Sequence, residues 1–283
     1  MRETLWHRLV HGVRRLHHQP YWAQFAGPDW ADRIMQVAAT DRLHAKQGRT
    51  IARWVLHAEG RQLVVYLKRH YRLPWWQGLL ALLRPDARWS PALQEWEHLH
   101  WARAQGLPVP VAAAGGEYIG PWGRLQSFLA VEELTDMLPL HQAIPRAAGR
   151  LDPATFRRWK DGLIAEMVRL TGDLHRRRWF HKDLYLCHFY IAEADTEYIP
   201  DWPGRVRLID LHRLGRHRWT WPWWRAKDLA QLLYSSEVEG VTARDRLRFW
   251  RGYRAGEGFG GAGRWLWWLV RLKAWNYRRH SAA

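Results

Sequence analysis

The sequence predicts an α+β fold of two lobes, a β-rich N-lobe followed by an α-rich C-lobe. Three observations predict it. Short β-type runs separated by turn residues fill the first half. A long helical pattern opens the second half behind Asp152-Pro153. Two apolar segments that each carry a carboxylate, residues 181–191 and 207–212, then follow that helix. Strands grouped before helices argue for α+β rather than an alternating parallel architecture. The expected division is a lead-in at 1–30, an N-lobe at 31–134 and a C-lobe at 135–283.

In order along the chain, residues 1–30 read as a helical or irregular lead-in. Ile34–Ala39 is a short apolar run and the first strand candidate. HAKQGRT (44–50) carries turn chemistry at Gly48. Ile51–Ala58 and QLVVYLK (62–68) are strands around the turn Glu59-Gly60. In the second, Leu63, Val65 and Leu67 share one face, and Val64, Tyr66 and Lys68 the other. A short apolar helix fits between Pro74 and Pro85. Ser90-Pro91 starts a helix that ends at Gly106, since serine suits the N-cap and proline the first turn. Gly115–Gly123 reads as loop and QSFLAVEE (126–133) as strand.

In the second half, Asp152 is an N-cap before Pro153. Phe156, Leu163, Ile164, Met167, Leu170 and Leu174 then recur at helical spacing to about Arg177. Arg205–Leu211 is a strand, and 227–235, 242–255 and 263–276 are helices. No internal repeat is visible.

The chain has 283 residues, enough for two lobes with separate cores. Its 47% hydrophobic content marks it as globular. The formal charge of +17 favours polyanionic partners: nucleic acid, anionic lipid or phosphorylated substrates. No recognised nucleic-acid motif appears, so none is expected as a partner. The single cysteine, Cys187, excludes an internal disulfide and a multi-cysteine zinc site. The opening MRETLWHRLVHGVRRL is basic and amphipathic but has no continuous apolar stretch of a signal peptide, and no run reaches transmembrane length. The expected location is cytoplasmic or peripheral on a membrane surface. The 22 tryptophans cluster beside arginines at 73–83, 218–225 and 264–271, a pattern that suits either Arg–Trp stacking or a membrane interface.

Phosphoryl transfer requires a lysine on the nucleotide phosphates, a glutamate to orient it, a carboxylate for the acceptor proton and a second carboxylate for metal. Lys68 ends a strand and is followed by a helix carrying Glu95 and Glu97. Glu95 shares a face with Leu99 and is preferred, with Glu97 the alternative. HKDLYLCH (181–188) parallels the protein-kinase run H-R-D-L-x-x-x-N, with Asp183 as base and His188 in place of the metal-binding asparagine. RLIDLH (207–212) supplies Asp210 where that fold has the aspartate of D-F-G. Any one of these residues has an ordinary structural explanation; their order points to a protein-kinase-like two-lobed fold.

HKDLYLCHFYI, LIDLHR and RAKDLAQLLYSS, with KQGRT, VVYLKRHYR, LQEWEHLHWARAQGLPVP and FLAVEEL before them, resemble the lipopolysaccharide kinase family, which includes the core heptose kinases. The resemblance spans about residues 40–255 and implies transfer of phosphate from ATP to a sugar hydroxyl, heptose or Kdo, of the lipopolysaccharide inner core. It implies work at the cytoplasmic face of the inner membrane. By position it makes Lys68 the phosphate anchor, Glu95 its partner and Asp183 the base. His188 and Asp210 become the metal side for Mg²⁺, or for Mn²⁺, because imidazole suits softer ions than magnesium. Glu132, Glu133 and Leu134 become the adenine hinge. Gly48 covers the phosphates, helped by Lys46 or Arg49, since one glycine is far short of G-x-G-x-x-G. Asp228 becomes a brace for the catalytic loop. The segments 73–84 and 218–225 are expected near lipid or sugar. The alternatives are a protein or small-molecule kinase on the same fold, and a non-catalytic, basic, membrane-binding scaffold.

Overall fold

The computed structural model describes residues 5–37, 41–46, 48–84, 89–256 and 263–281. The chain forms two compact units, Met1–Ala104 with Pro110–Leu134, and Gln105–Val109 with Thr135–Ala283.

The first unit is an antiparallel six-stranded sheet in the order β1-β5-β6-β4-β3-β2. Its elements are α1 (Leu5–His11), β1 (Val13–His18), α2 (Trp22–Ala26), α3 (Trp30–Arg33), β2 (Asp41–Lys46), β3 (Arg49–Ala58), β4 (Arg61–His70), α4 (Trp75–Leu83), α5 (Pro91–Ala104), β5 (Ala112–Ile119) and β6 (Leu125–Glu132). The two-residue period of β4 decides which helices cover which face. Val65 and Leu67 are buried with Trp22, Trp30, Ile34 and Phe128. The indoles of Trp22 and Trp30 meet edge to face at 6.0 Å, and Trp30 meets Phe128 at 5.8 Å. Lys68 points from the opposite face, toward α5. Residue 68 is registered against Ile51 on one side and Leu129 on the other, so it lies in the interior of the sheet.

Three expectations fail here. Residues 1–30 are not a mere lead-in: β1 pairs along β5 from Val13↔Ile119 to His18↔Ala114. Alternation in VRRLHH is too weak to reveal a strand, and its pairing with β5 supplies the stability. Ile34 closes α3 instead of opening a strand, because burial with Trp22 and Trp30 outweighs its β-propensity. Gly115 and Gly116 lie within β5 rather than in a loop. A Cβ at Gly115 would come within 2.9 Å of the Trp96 ring, and one at Gly116 within 2.8 Å of Arg15 O. These glycines mark close packing, not a turn.

The second unit is mainly helical. It holds β7 (Met137–Pro139), α6 (Leu140–Arg150), α7 (Pro153–Arg176), β8 (Trp179–Phe180), β9 (Phe189–Ala192), β10 (Arg207–Leu208), β11 (Gly215–Arg216), α8 (Trp221–Ser235), α9 (Ala243–Gly256) and α10 (Gly263–Ser281). Asp152 caps α7 as its sequence predicts, accepting from Ala154 N and Thr155 N at 3.0 Å each. Trp159, Leu163, Leu170 and Leu174 bury the inner stripe of α7. Trp250, Tyr253, Leu266, Val270 and Ala274 join α9 and α10 to Ala226, Leu229 and Ala230 of α8. That packing makes α8 a rigid base for the loop that precedes it in the chain.

Candidate active site

In the first unit, Lys68 Nζ donates to Glu95 Oε1 at 2.6 Å, and both side chains are nearly buried. Glu97 is exposed on the far side of α5. The geometry therefore joins Lys68 to Glu95, as the face shared with Leu99 suggests. A lysine and a carboxylate held this close in the interior lose less to screening than a surface pair does.

Gly48 sits in the β2–β3 turn at φ 77°, and its carbonyl accepts from Tyr71 N at 2.7 Å. Positive φ is what glycine supplies there at no steric cost. The side chain of Lys46 lies outside the described residues. Arg49 has a buried Nε with no hydrogen-bond partner among the described residues. Glu132 and Glu133 already donate their N–H groups within the unit, to Val111 O and Val64 O at 2.9 Å. The Glu133 carboxylate is gripped by Arg53 at 2.7 and 2.8 Å, which holds its pKa below the usual carboxylate range despite partial burial. Glu132 accepts from Tyr21 Oη. Leu134 is half-buried at the last position of this unit.

In the second unit, HKDLYLCHFYI is a braced loop with only its end, β9, in a strand. Asp228, fully buried on α8, accepts from His181 N and Lys182 N at 2.8 Å each. His175 Nε2 lies 3.3 Å from the same carboxylate, and Tyr253 Oη lies 2.7 Å from His175 Nδ1. Gln231 Oε1 accepts from Leu184 N at 3.1 Å, and Ser235 Oγ from Leu186 N at 2.8 Å. Lys227 Nζ donates to Lys182 O at 2.6 Å. One helix thus satisfies successive polar groups of a loop that makes no strand of its own. The bracing also holds Lys182 at φ 67°, an uncommon conformation for a residue with a long side chain.

The Asp183 carboxylate lies at the centre of a cationic cluster. Arg213 Nη1 reaches its two oxygens at 3.1 and 3.0 Å, and Lys227 Nζ is 4.0 Å away. Burial lowers the pKa of both Lys182 and Lys227, and neighbouring cations, including Arg213, add to the effect. His181 is wholly buried. Desolvation lowers its pKa, and Nε2–H donates to Ile209 O at 2.9 Å.

His188 and Asp210 are brought together, with Nε2 and Oδ2 at 3.8 Å. His188 Nδ1 donates to Asp183 O at 2.7 Å, which leaves Nε2 as the ring's lone-pair nitrogen on the Asp210 side. Burial opposes protonation of His188, but hydrogen bonds to Cys187 and Asp183 and the charge of Asp210 raise its pKa overall. Asp210 occupies the left-handed region at φ 61°, a conformation aspartate tolerates, and pairs with His212 Nδ1 at 2.8 Å. No group of three or more metal-binding side chains occurs among the described residues. A two-donor set suits only an ion that completes its shell with substrate oxygens and water.

Arg213, Gln231 and Ser235 go unnoticed by sequence reasoning. Lys227, Gln231 and Ser235 recur every four residues along a largely apolar helix, and that polar stripe is the signal that could reveal two of them. Arg213 offers none beyond its position three residues after Asp210.

An antiparallel sheet bearing a buried Lys–Glu pair, followed by a helical unit bearing an aspartate loop braced from a later helix, defines a protein-kinase-like phosphotransferase. The lipopolysaccharide kinase (Kdo/WaaP) family profile matches residues 39–253. The lipopolysaccharide core heptose(I) kinase WaaP of Pseudomonas aeruginosa is 32% identical over 188 residues, 66% of this chain and 68% of that protein. WaaP of Escherichia coli is 30% identical over 200 residues, 66% of this chain and 71% of that protein. A solved structure of WaaP in complex with acyl carrier protein is similar over 92% of this chain and 98% of that one, with 28% identity and a TM-score of 0.67. The chain belongs to the lipopolysaccharide kinase (Kdo/WaaP) family. It is a phosphotransferase that uses ATP and acts on a sugar hydroxyl of lipopolysaccharide.

Proposed function

We propose that the acceptor is the heptose(I) residue of the lipopolysaccharide core. The reading is carried by the curated relatives, which are heptose(I) kinases. Asp183 takes the proton of the acceptor hydroxyl as that oxygen attacks the terminal phosphorus of ATP, and the bond from that phosphorus to the bridging oxygen breaks to release ADP. Arg213 and Lys227 hold the carboxylate in place. Lys68, oriented by Glu95, anchors the nucleotide phosphates, with Gly48 and Arg49 over them and the backbone of Glu132, Glu133 and Leu134 against adenine. Asp210 and His188 would hold a divalent ion, Mg²⁺ or Mn²⁺, which would neutralise phosphate charge when bound. The enzyme works at the cytoplasmic face of the inner membrane; no helix among the described residues is long and apolar enough to cross a bilayer. An acyl carrier protein is a further partner, by analogy with the solved WaaP complex.

Labelled ATP incubated with purified core glycolipid, followed by mass mapping, tests this. Label is expected on heptose with wild type, and Asp183→Asn should lower turnover by about 10²–10⁴-fold. Label on Kdo moves the acceptor within the family, and label on protein alone overturns the sugar assignment. Equal turnover by both enzymes removes Asp183 from the base role.

A further inference from the structure

The first unit carries an apolar surface that phosphoryl transfer does not explain. Three segments far apart in sequence build it: α1, α4 and the turn Pro121–Gly123. Their inward sides are ordinary core, with Ala81 and Leu82 of α4 buried against Ile119 and Leu125. Arg8 Nη1 donates to Leu82 O at 2.9 Å and ties α1 to α4. Gly78 lets α4 approach the turn backbone to backbone, since a Cβ there would lie 1.7 Å from Gly123 O.

The outward side is apolar as well. Trp6 is 68% exposed, Trp75 70% and Trp122 66%, and Leu5, Val10, Trp76, Leu80 and Leu83 are exposed beside them. Trp6 and Trp122 meet edge to face at 6.5 Å, so the segments share one surface. Trp122 is held at φ 57°, a left-handed conformation that costs an aromatic residue free energy. The fold thus maintains strain in order to present an indole to the outside. Exposed apolar side chains gathered on one face mark an interaction surface more often than scattered single ones do.

The chemistry selects the partner. The exposed set is led by tryptophan, the residue that favours the headgroup level of a bilayer. Residues 5–13, 71–84 and 120–125 contain Arg8, Arg72, Arg84 and Arg124 and not one acidic residue. A protein groove would bury such tryptophans in matching pockets, whereas a fluid surface of negative headgroups accepts indoles and arginines together. We infer that the face formed by α1, α4 and Pro121–Gly123 docks this protein on an anionic lipid bilayer. The inference is independent of which sugar is phosphorylated.

The test uses the full-length protein and sedimentation with vesicles of phosphatidylcholine, with and without phosphatidylglycerol. Binding is expected only to the vesicles with phosphatidylglycerol, and added salt should weaken it. Trp75→Ser combined with Trp122→Asn should weaken binding at least roughly tenfold; asparagine tolerates the left-handed backbone. Ile199→Ser, which removes an exposed apolar side chain of the second unit, should bind as wild type does. Turnover on lipid-free core oligosaccharide should be unchanged in both variants, which separates docking from catalysis. Failure of wild type to bind anionic vesicles, or undiminished binding by the double variant, overturns the inference. So does a wild-type dimer that the double variant converts to monomer without vesicle binding, which would make the occupant a second copy.

Discussion

Replacing Asp228 with asparagine removes one charge from the point where α8 meets the catalytic loop. In the wild type, Oδ1 accepts from Lys182 N, and Oδ2 accepts from His181 N and faces His175 Nε2. An asparagine can keep its oxygen at the Oδ2 position and satisfy two of these donors. Its NH₂ then faces Lys182 N–H, donor against donor, in a site with no solvent access. One buried donor left unsatisfied costs about 1–3 kcal/mol. Loss of charge assistance in the two remaining bonds adds roughly 1 kcal/mol. The sum, about 2–4 kcal/mol, corresponds to a fall in Tm of roughly 3–7 °C for a chain of this size. The backbone strain at Lys182 then has less to hold it, and Asp183 shifts with it; misplacement by about 1 Å costs on the order of 10²-fold in turnover. Thermal unfolding and transfer from ATP to lipid-free core oligosaccharide read the two effects separately. Wild-type values for both would refute the bracing role, and a lowered Tm with normal turnover would confine Asp228 to stability.

Glu95→Gln should lower kcat/KM for ATP by about 10²-fold by releasing Lys68, while Glu97→Gln, on the exposed side of α5, should leave steady-state kinetics unchanged. Lys160→Met should destabilise the helical unit by roughly 2 kcal/mol in chemical denaturation, less than the loss of a fully uncompensated buried charge, because Asp245 keeps Thr242 and Arg248 as donors. His181 is neutral in the fold because burial lowers its pKa, whereas in the unfolded chain it titrates near about 6.5. The unfolded chain therefore binds the extra proton as pH falls, so this contribution is complete above about pH 6.5 and is lost below it. Tm measured from neutral to acidic pH should drop less steeply in His181→Gln, whose amide can still donate to Ile209 O.

The sequence makes legible whatever depends on local period or fixed spacing. The alternation of QLVVYLK places Lys68 opposite Val65 and Leu67, and Asp152-Pro153 marks the start of α7. What depends on packing between distant segments is not legible. β1 becomes a strand because β5 pairs with it, and Gly115 looks like a turn because nothing local discloses the Trp96 ring above it. Between these extremes lies His181–Ile191, whose apolar run reads equally as a buried strand. Its backbone polar groups decide the matter: a strand would satisfy them through a neighbour, whereas here Asp228, Gln231 and Ser235 do so.

That substitution of one helix for a neighbouring strand has a consequence for how the site tolerates change. In a ladder, each backbone bond survives most side-chain replacements, because backbone pairs with backbone. In the loop of Asp183, the partners are side chains spaced along α8, so single substitutions there remove backbone bonds outright. Gln231 is the sharpest case: its carbonyl accepts from Leu184 N at 3.1 Å while its amide donates to Tyr185 Oη at 3.1 Å. Glutamate would keep the acceptor but bring a second negative charge toward Asp183, which the Gln231 amide now faces at 3.5 Å. The polar stripe at 227, 231 and 235 is therefore constrained in both hydrogen-bond direction and charge, and its constraint comes from the loop it supports rather than from the helix that carries it.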